Sequence, residues 1–196
     1  MHTKKSISSL IFAALILAGS MAAHAQTTGA DKKTFVGINV GQMTVGPLVV
    51  LAISREATYM PVHIHGYRSL NRNFALSGLA LFRVVRDQQF QVTETGFAVG
   101  PCFTSNHLNG FFADCKVGFA FAIGHDYDYD AFTRTDFVLQ PEFGYFITLA
   151  GRFTMAVGLG MQSMLKIAEN PKSAWIDVTN YERYLPVLNV SLGIKF

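Results

Sequence analysis

The stretch PVLNVSLGIKF, residues 186–196, alternates apolar with polar or small residues without a break. Successive side chains of a strand point to opposite faces, so Val190, Leu192, Ile194 and Phe196 share one side. The other side carries Asn189, Ser191, Gly193 and Lys195. Terminal residues are usually poorly ordered unless a sheet holds them. The pattern therefore predicts that the last residues form a strand paired into a sheet.

The first 25 residues have the three parts of a secretory signal peptide. Lys4 and Lys5 provide the positive start, the run LIFAALILA at 10–18 is the apolar core, and Ala23-His24-Ala25 matches the cleavage pattern. The apolar run is shorter than the about 20 residues of a spanning helix. We expect residues 1–25 to be a cleaved signal peptide, and no Cys follows the run to indicate a lipoprotein.

The remainder reads as one domain, with 26–33 as a flexible periplasmic lead-in and 34–196 as the folded part. Lys4 and Lys5 account for two of the 16 basic residues, against 13 acidic ones, so the exported chain is close to neutral. No basic cluster of the kind that binds phosphates appears, which argues against a nucleic-acid partner. No run after the leader is long and apolar enough for a membrane helix.

Eight segments of the exported chain alternate with a period of two. Each is close to the about 9–11 residues that a tilted strand needs to cross a bilayer. They lie at 34–45, 59–68, 74–85, 92–104, 111–124, 137–148, 153–165 and 186–196. The stretch GPLVVLAIS at 46–54 is too apolar for an ordinary loop, and it is interpreted as an extension of the first strand or as a short ninth strand. The pattern predicts an all-β, eight-stranded antiparallel up-and-down transmembrane β-barrel.

Short and long connections alternate between these segments. The short ones are rich in Asn, Gly and Ser, as tight turns are, at 69–73, 106–110 and 149–152. The long ones lie near 86–91, at 125–136 and at 166–185. Short periplasmic turns and long outer loops are typical of outer-membrane barrels, and an even strand count places both termini in the periplasm.

The two faces of the strands also fit a barrel in lipid. In the fifth segment Val117, Phe119, Phe121 and Ile123 oppose small residues and Lys116, and the sixth and seventh segments behave alike. Lipid-facing positions of such barrels are large and apolar, and interior positions are small or polar. The larger apolar set is therefore assigned to the outside.

The whole exported chain resembles the small outer-membrane barrel proteins of the OmpA/OmpX type. In that family the last strand, with alternate apolar residues and a terminal aromatic, is the signal read by the barrel assembly machinery, and Leu192, Ile194 and Phe196 match it. The resemblance implies a bacterial outer-membrane location, with membrane lipid, lipopolysaccharide and the assembly machinery as partners. It covers architecture and carries over no ligand, so the surface partner stays unknown; a monomer is expected.

A polar network is expected inside the barrel, because eight strands enclose a space just wide enough for side chains. The inward groups carry both signs and should pair, since an unpaired buried charge is costly. The network is assigned to His63, His65, Glu94, Asp114, Lys116, Glu142 and Lys195, with Asn39, Gln140 and Gln162 on the same face. A filled interior predicts no wide pore; a narrow ion path is the alternative.

Metal binding has two weak candidates. His63 and His65 share a face, but two ligands do not make a site and no third is evident. Asp126, Asp128 and Asp130 alternate in a predicted outer loop that lacks the Gly and Glu of a calcium-binding EF-hand. We expect satisfied interior histidines, an acidic solvated loop, and no cofactor or metal.

Cys102 and Cys115 flank the turn at 106–110, and an exported pair can oxidise. Counting from the turn sets Cys102 opposite Asp114, so Cys115 is one residue out of register. A bulge would bring the two together. The sequence leaves the disulfide open.

Two other functions compete with a structural or surface-interaction role. Some small barrels modify lipid A with a His and a Ser, but His125 and Ser163 fall on strands five and seven and are too far apart for contact. A soluble lipocalin-like ligand-binding barrel would reverse the faces, but small residues fill the presumed interior and the early Gly-x-Trp of lipocalins is absent. We therefore expect a non-catalytic barrel that acts through its outer loops.

Overall fold

The structure is a computed structural model that describes residues 34–53, 58–86, 90–126, 131–150, 152–170 and 184–196. The predicted signal peptide and lead-in lie outside these residues. Eight strands and one helix follow in chain order. They are β1 (Thr34–Asn39), α1 (Val40–Ile53), β2 (Thr58–Ser69), β3 (Phe74–Arg86), β4 (Phe90–Asn106), β5 (Asn109–Asp126), β6 (Phe132–Ala150), β7 (Phe153–Asn170) and β8 (Tyr184–Lys195).

The strands form a closed barrel in which each pairs antiparallel with its sequence neighbours and β8 pairs with β1. The prediction of an eight-stranded, antiparallel up-and-down barrel is confirmed. Phe196, just beyond β8, donates its backbone N–H to the Thr34 carbonyl (2.9 Å) and accepts from Thr34 N (2.6 Å). The predicted terminal strand is thus the closing strand, and Leu192 and Ile194 face outward from it.

The first strand is shorter than expected, and the interpretation of 46–54 as a strand is wrong. β1 ends at Asn39, whose side-chain oxygen accepts the backbone N–H of Gln42 (3.0 Å) as a helix N-cap does. The apolar residues that follow form α1, and the hydroxyl of Thr44 donates to the carbonyl of Val40 within it. Among the described residues, no helix is long and apolar enough to cross a membrane.

The strands from β4 to β7 have 17 to 19 residues, whereas β2, β3 and β8 have 12 or 13. Three predicted loops are therefore shorter than expected. β3 and β4 take up 86 and 90–91, β5 and β6 take up 125–126 and 132–136, and β7 and β8 take up 166–170 and 184–185. These extensions lie beyond the strand length that a bilayer requires, so they can carry polar residues. Their polar sequence was therefore predicted as loop.

The faces of the barrel agree with the lipid-facing assignment over most of its height. Phe119, Phe121 and Ile123 are exposed on the outside, whereas Ala120 and Ala122 between them are buried inside. The rule that the interior is small or polar fails in mid-barrel, where Leu79, Leu81 and Met164 are buried, and again at the turn end. Four aromatic residues, Phe35, Tyr67, Phe112 and Phe146, are fully buried there.

The interior has four layers along the barrel. From the turn end these are the four aromatic residues, a central charged network, an apolar layer, and two ion pairs near the loop end. The apolar layer consists of Leu79, Leu81, Ala98, Ala120, Val138 and Met164. Each layer is built from alternate residues of neighbouring strands, because only every second side chain points inward.

Candidate functional site

The central network is built around Lys116 on β5. Its Nζ atom lies 2.6 Å from Asp114 Oδ2 and 3.1 Å from Glu142 Oε2, and all three side chains are fully shielded from solvent. Asp114 and Lys116 share a face because they are two residues apart, and the register places Glu142 of β6 beside Asp114. Two carboxylates therefore share one ammonium group in a region without solvent.

Amide side chains extend this network across the barrel. Gln140 donates to Glu142 Oε2 (3.3 Å), and Gln162 of β7 donates to Gln140 (2.9 Å). Asn189 of β8 donates to Glu142 Oε1 and lies 3.4 Å from His65 Nδ1 of β2. Side chains from β2, β5, β6, β7 and β8 are thus tied together across the interior, as a buried polar group requires if it is not to destabilise the fold.

Two buried ion pairs lie nearer the loop end. Arg83 of β3 lies 2.5 Å from Glu94 of β4, and the two are register partners. Arg134 of β6 contacts Asp136 on the same face at 2.8 Å. Of these four residues only Glu94 was predicted. Continuing the alternation from Leu81 to Arg83 would have identified Arg83, whereas Arg134 and Asp136 fell in a predicted loop.

The turn end of the barrel is closed by the aromatic plug of Phe35, Tyr67, Phe112 and Phe146, with ring centroids 4.6 to 6.0 Å apart. Leu108 in the β4–β5 turn adds a fully buried side chain to the plug, although its φ of 57° is unusual for leucine. Lys195 donates to the Leu108 carbonyl (3.1 Å). Lys195, predicted as part of the polar network inside the barrel, lies here at the turn end, away from the central network.

The two predicted histidines are both fully buried inside β2. His65 reaches Asn189 through Nδ1, but neither ring nitrogen of His63 has a hydrogen-bond partner among the described residues. The same part of the chain contains no group of three or more His, Cys, Asp or Glu that could hold a metal ion. Asp126 is the last residue of β5, and Asp128 and Asp130 lie outside the described residues.

Both cysteines are free thiols in the structure. Cys102 pairs with Asp114 and Val99 with Val117, so no bulge lies between these positions. Cys102 is therefore buried inside the barrel and Cys115 is exposed outside it. A disulfide would have to pass through the wall, and the bulge that the sequence left open occurs instead near the turn, between Thr104 and Asn106.

The residues considered for lipid A chemistry stay apart. His125 lies on β5 and is paired with Gln91 of β4, whereas Ser163 lies on β7 between Leu139 and Tyr184. β6 separates the two strands. Because neighbouring strands are about 4.8 Å apart, two intervals exceed hydrogen-bond reach for these short side chains.

Comparison with protein-family models and with curated protein sequences finds no match. Among solved structures the chain is similar to Ail, the attachment invasion locus protein of Yersinia pestis. The sequences are 9% identical, the TM-score is 0.47, and the alignment covers 84% of this chain and 97% of Ail.

Proposed function

We propose that this chain is a non-catalytic outer-membrane barrel that holds the loop ends of its long strands β5, β6 and β7, and the loops they carry, at the cell surface. The observation that carries the proposal is the reversal of polarity across the barrel wall. Charged side chains are buried inside, and large apolar side chains are exposed outside.

The outer surface supports a lipid setting. Phe97, Phe119, Phe143 and Leu159 are 41 to 56% exposed on four consecutive strands. Soluble proteins seldom expose an apolar area of this extent. In a bilayer the same area is in contact with hydrocarbon. The backbone groups of neighbouring strands are paired around most of the closed barrel, as a bilayer requires.

The filled interior supports an anchoring role rather than transport. The aromatic plug, the central network and the apolar layer follow one another along the barrel, so a polar solute would have to displace packed side chains. Eight-stranded barrels of this kind have interiors filled by side chains. We therefore infer that the barrel forms no wide pore.

The long strands supply the interaction surface. β5, β6 and β7 have 18, 19 and 18 residues, well above the about 9–11 needed to cross a bilayer. Their loop ends form a wall that carries exposed Ile167 and an ion pair in which the Lys166 side chain is 32% exposed and that of Glu169 is largely shielded. A rigid wall that presents apolar and charged groups suits contact with lipopolysaccharide or with a partner surface.

The first test is gel mobility in SDS with and without boiling, on separated membrane and soluble fractions. A barrel in the outer-membrane fraction that migrates faster unboiled supports the proposal. A single unshifted band in the soluble periplasm would contradict it and favour the lipocalin-like alternative, in which the interior is a ligand cavity.

The second test asks whether the β5–β7 wall faces outward from the cell. Lys166→Cys is made in a Cys115→Ser background and treated on intact cells with a maleimide that does not cross membranes. Labelling of whole cells is expected, and Thr154→Cys in the same background should stay unlabelled because Thr154 is buried at the turn end. Labelling of Lys166→Cys only after cell lysis would overturn the orientation.

A further inference from the structure

The barrel wall is not a hydrogen-bonded ladder all the way round. β1 stops at Asn39, whereas β2 continues from His63 to Thr58 and β8 continues from Val190 to Tyr184. Beyond Asn39 the space between β2 and β8 is occupied by α1. We call this region, residues 40–48 of α1 with the adjoining ends of β2 and β8, the helix-closed seam.

The seam is closed by packing of the helix against strands. A Cβ atom at Gly41 would lie 3.1 Å from the Leu188 carbonyl oxygen, and one at Gly46 would lie 2.7 Å from the Tyr59 ring. The backbone N–H of Val190 reaches the side-chain oxygen of Asn39 (3.2 Å). A helix makes its backbone hydrogen bonds internally. The helix can therefore shift without breaking an inter-strand ladder.

Unpaired polar groups lie inside the barrel where the β1–β2 ladder meets this seam. Asn39 Nδ2, both ring nitrogens of His63, and His65 Nε2 have no hydrogen-bond partner among the described residues, and all three side chains are fully buried. Ile38 pairs with Ile64, so the register sets Asn39 next to His63. Native proteins satisfy nearly all buried polar groups, so a cluster of this kind calls for a partner.

The hydrogen-bonding character of the cluster defines that partner. Asn189 Nδ2 donates to His65 Nδ1, which leaves His65 Nε2 as the donor of a neutral ring. Asn39 Nδ2 is also a donor, and a neutral His63 has one donor and one acceptor. α1 begins at this point, and the N-terminal end of a helix carries a positive partial charge. Three N–H donors and a helix N-terminus together suit an oxygen anion.

We propose that the helix-closed seam binds the oxyanion head of a single-chain amphiphile from the surrounding lipid. The head lies on Asn39, His63 and His65, and the alkyl chain lies outside along α1, where Met43 and Leu48 are exposed and no charged residue occurs. Entry is sideways, by a small displacement of α1. The route depends on the membrane setting proposed above, whereas the head-group site depends on the seam alone.

The test uses the full exported chain in dodecyl maltoside and dodecanoate labelled with ¹³C at the carboxyl carbon. A shifted carboxyl resonance that saturates near one equivalent is expected. Dodecyl phosphate should displace it if any oxyanion head fits, and failure to do so would identify a carboxylate as the preferred head. Dodecanol and dodecyltrimethylammonium should not displace it, because neither presents an anionic oxygen.

Three variants assign the site. Asn39→Asp keeps the helix-capping oxygen but replaces the unpaired N–H donor with a repelling carboxylate, and His63→Leu removes both ring nitrogens. Each should weaken dodecanoate binding at least about tenfold, the loss expected for a hydrogen bond to a charged group. Thr154→Val, buried at the opposite end, should bind like the wild type.

Folding of every sample is checked by its heat-dependent gel mobility, and His63→Gln replaces any His63→Leu sample that fails to fold. A heat-shifted wild-type barrel with no shifted resonance would overturn the amphiphile site and leave the proposed function intact. Equal displacement by dodecanol would also overturn it, because binding would then be apolar and not specific for the head. A wild-type chain without a heat shift would instead contradict the membrane barrel.

Discussion

Thr34 and Phe196 exchange two backbone hydrogen bonds, of 2.6 and 2.9 Å, and so join the first and last strands of the barrel. The pair lies at the turn end, where Phe196 is 38% exposed on the outside. The main chain of Phe196 therefore closes the barrel, while its side chain remains on the surface.

Phe196→Ala is expected to lower the amount of assembled barrel in cells several-fold while changing the stability of the refolded protein little. The backbone bonds to Thr34 do not need the ring, whereas the proposed assembly signal does. The measurements are the heat-shifted band in outer membranes and urea unfolding of refolded protein in vesicles. Phe196→Tyr is the control, and wild-type assembly of Phe196→Ala would contradict the signal role of Leu192, Ile194 and Phe196.

Lys116→Met is expected to destabilise the barrel by about 3–5 kcal/mol, because it leaves Asp114 and Glu142 as buried charges without their ammonium partner. The same substitution at Lys166 should cost less, because it leaves one carboxylate, that of Glu169, at the loop end without its partner instead of two carboxylates in the centre of the barrel. Urea unfolding of both variants in vesicles gives the comparison. Equal losses would mean that the central network is hydrated.

Phe112→Ala and Phe111→Ala distinguish the two faces of one strand. Phe112 is fully buried in the aromatic plug, whereas Phe111 is 43% exposed outside. Truncating a buried Phe costs about 3–5 kcal/mol, so Phe112→Ala should be the more destabilising change. The free energies of unfolding are compared in the same vesicles. A larger loss of unfolding free energy for Phe111→Ala would mean that Phe111, and not Phe112, faces the interior.

The two native cysteines should differ in their reactivity with maleimide. Cys115 should react with a membrane-soluble maleimide in the folded barrel, and Cys102 should react only after unfolding, because it is buried inside. Mass spectrometry should count one adduct in the folded protein and two after denaturation without reductant. No adduct in either state would show a disulfide and would require a bulge between the two positions.

Strand alternation was sufficient to predict the barrel because a residue's parity decides its face wherever one face contacts lipid. It identified the inward positions of Asp114, Lys116 and Glu142 without any knowledge of their partners. The contact between Glu142 and Asn189 could not be predicted from alternation, because the two residues meet across the interior from strands that are not neighbours.

The failures also have physical causes. Parity places Phe35, Phe112 and Phe146 inside, but an aromatic layer was not predicted, because interior positions of such barrels are expected to be small or polar. α1 was missed because its sequence is mostly apolar and lacks a helical alternation of polar and apolar residues, and because Asn39 can cap a helix as readily as it can face a barrel interior. The strand ends at 132–136 and 166–170 carry polar residues that are equally typical of loops.

The brevity of β1 has a consequence for how the molecule comes apart. β1 contributes six residues to its two ladders, whereas β6 contributes 19 to its own. Releasing a shorter strand costs less free energy, because fewer ladder hydrogen bonds are broken. Thermal fluctuation should therefore separate the strands first at the β1–β8 junction. In deuterated water, the amides of Val36 and Ile194 would then exchange before those of Val138 and Phe143, and the barrel would unroll from this line as a sheet from its free edge.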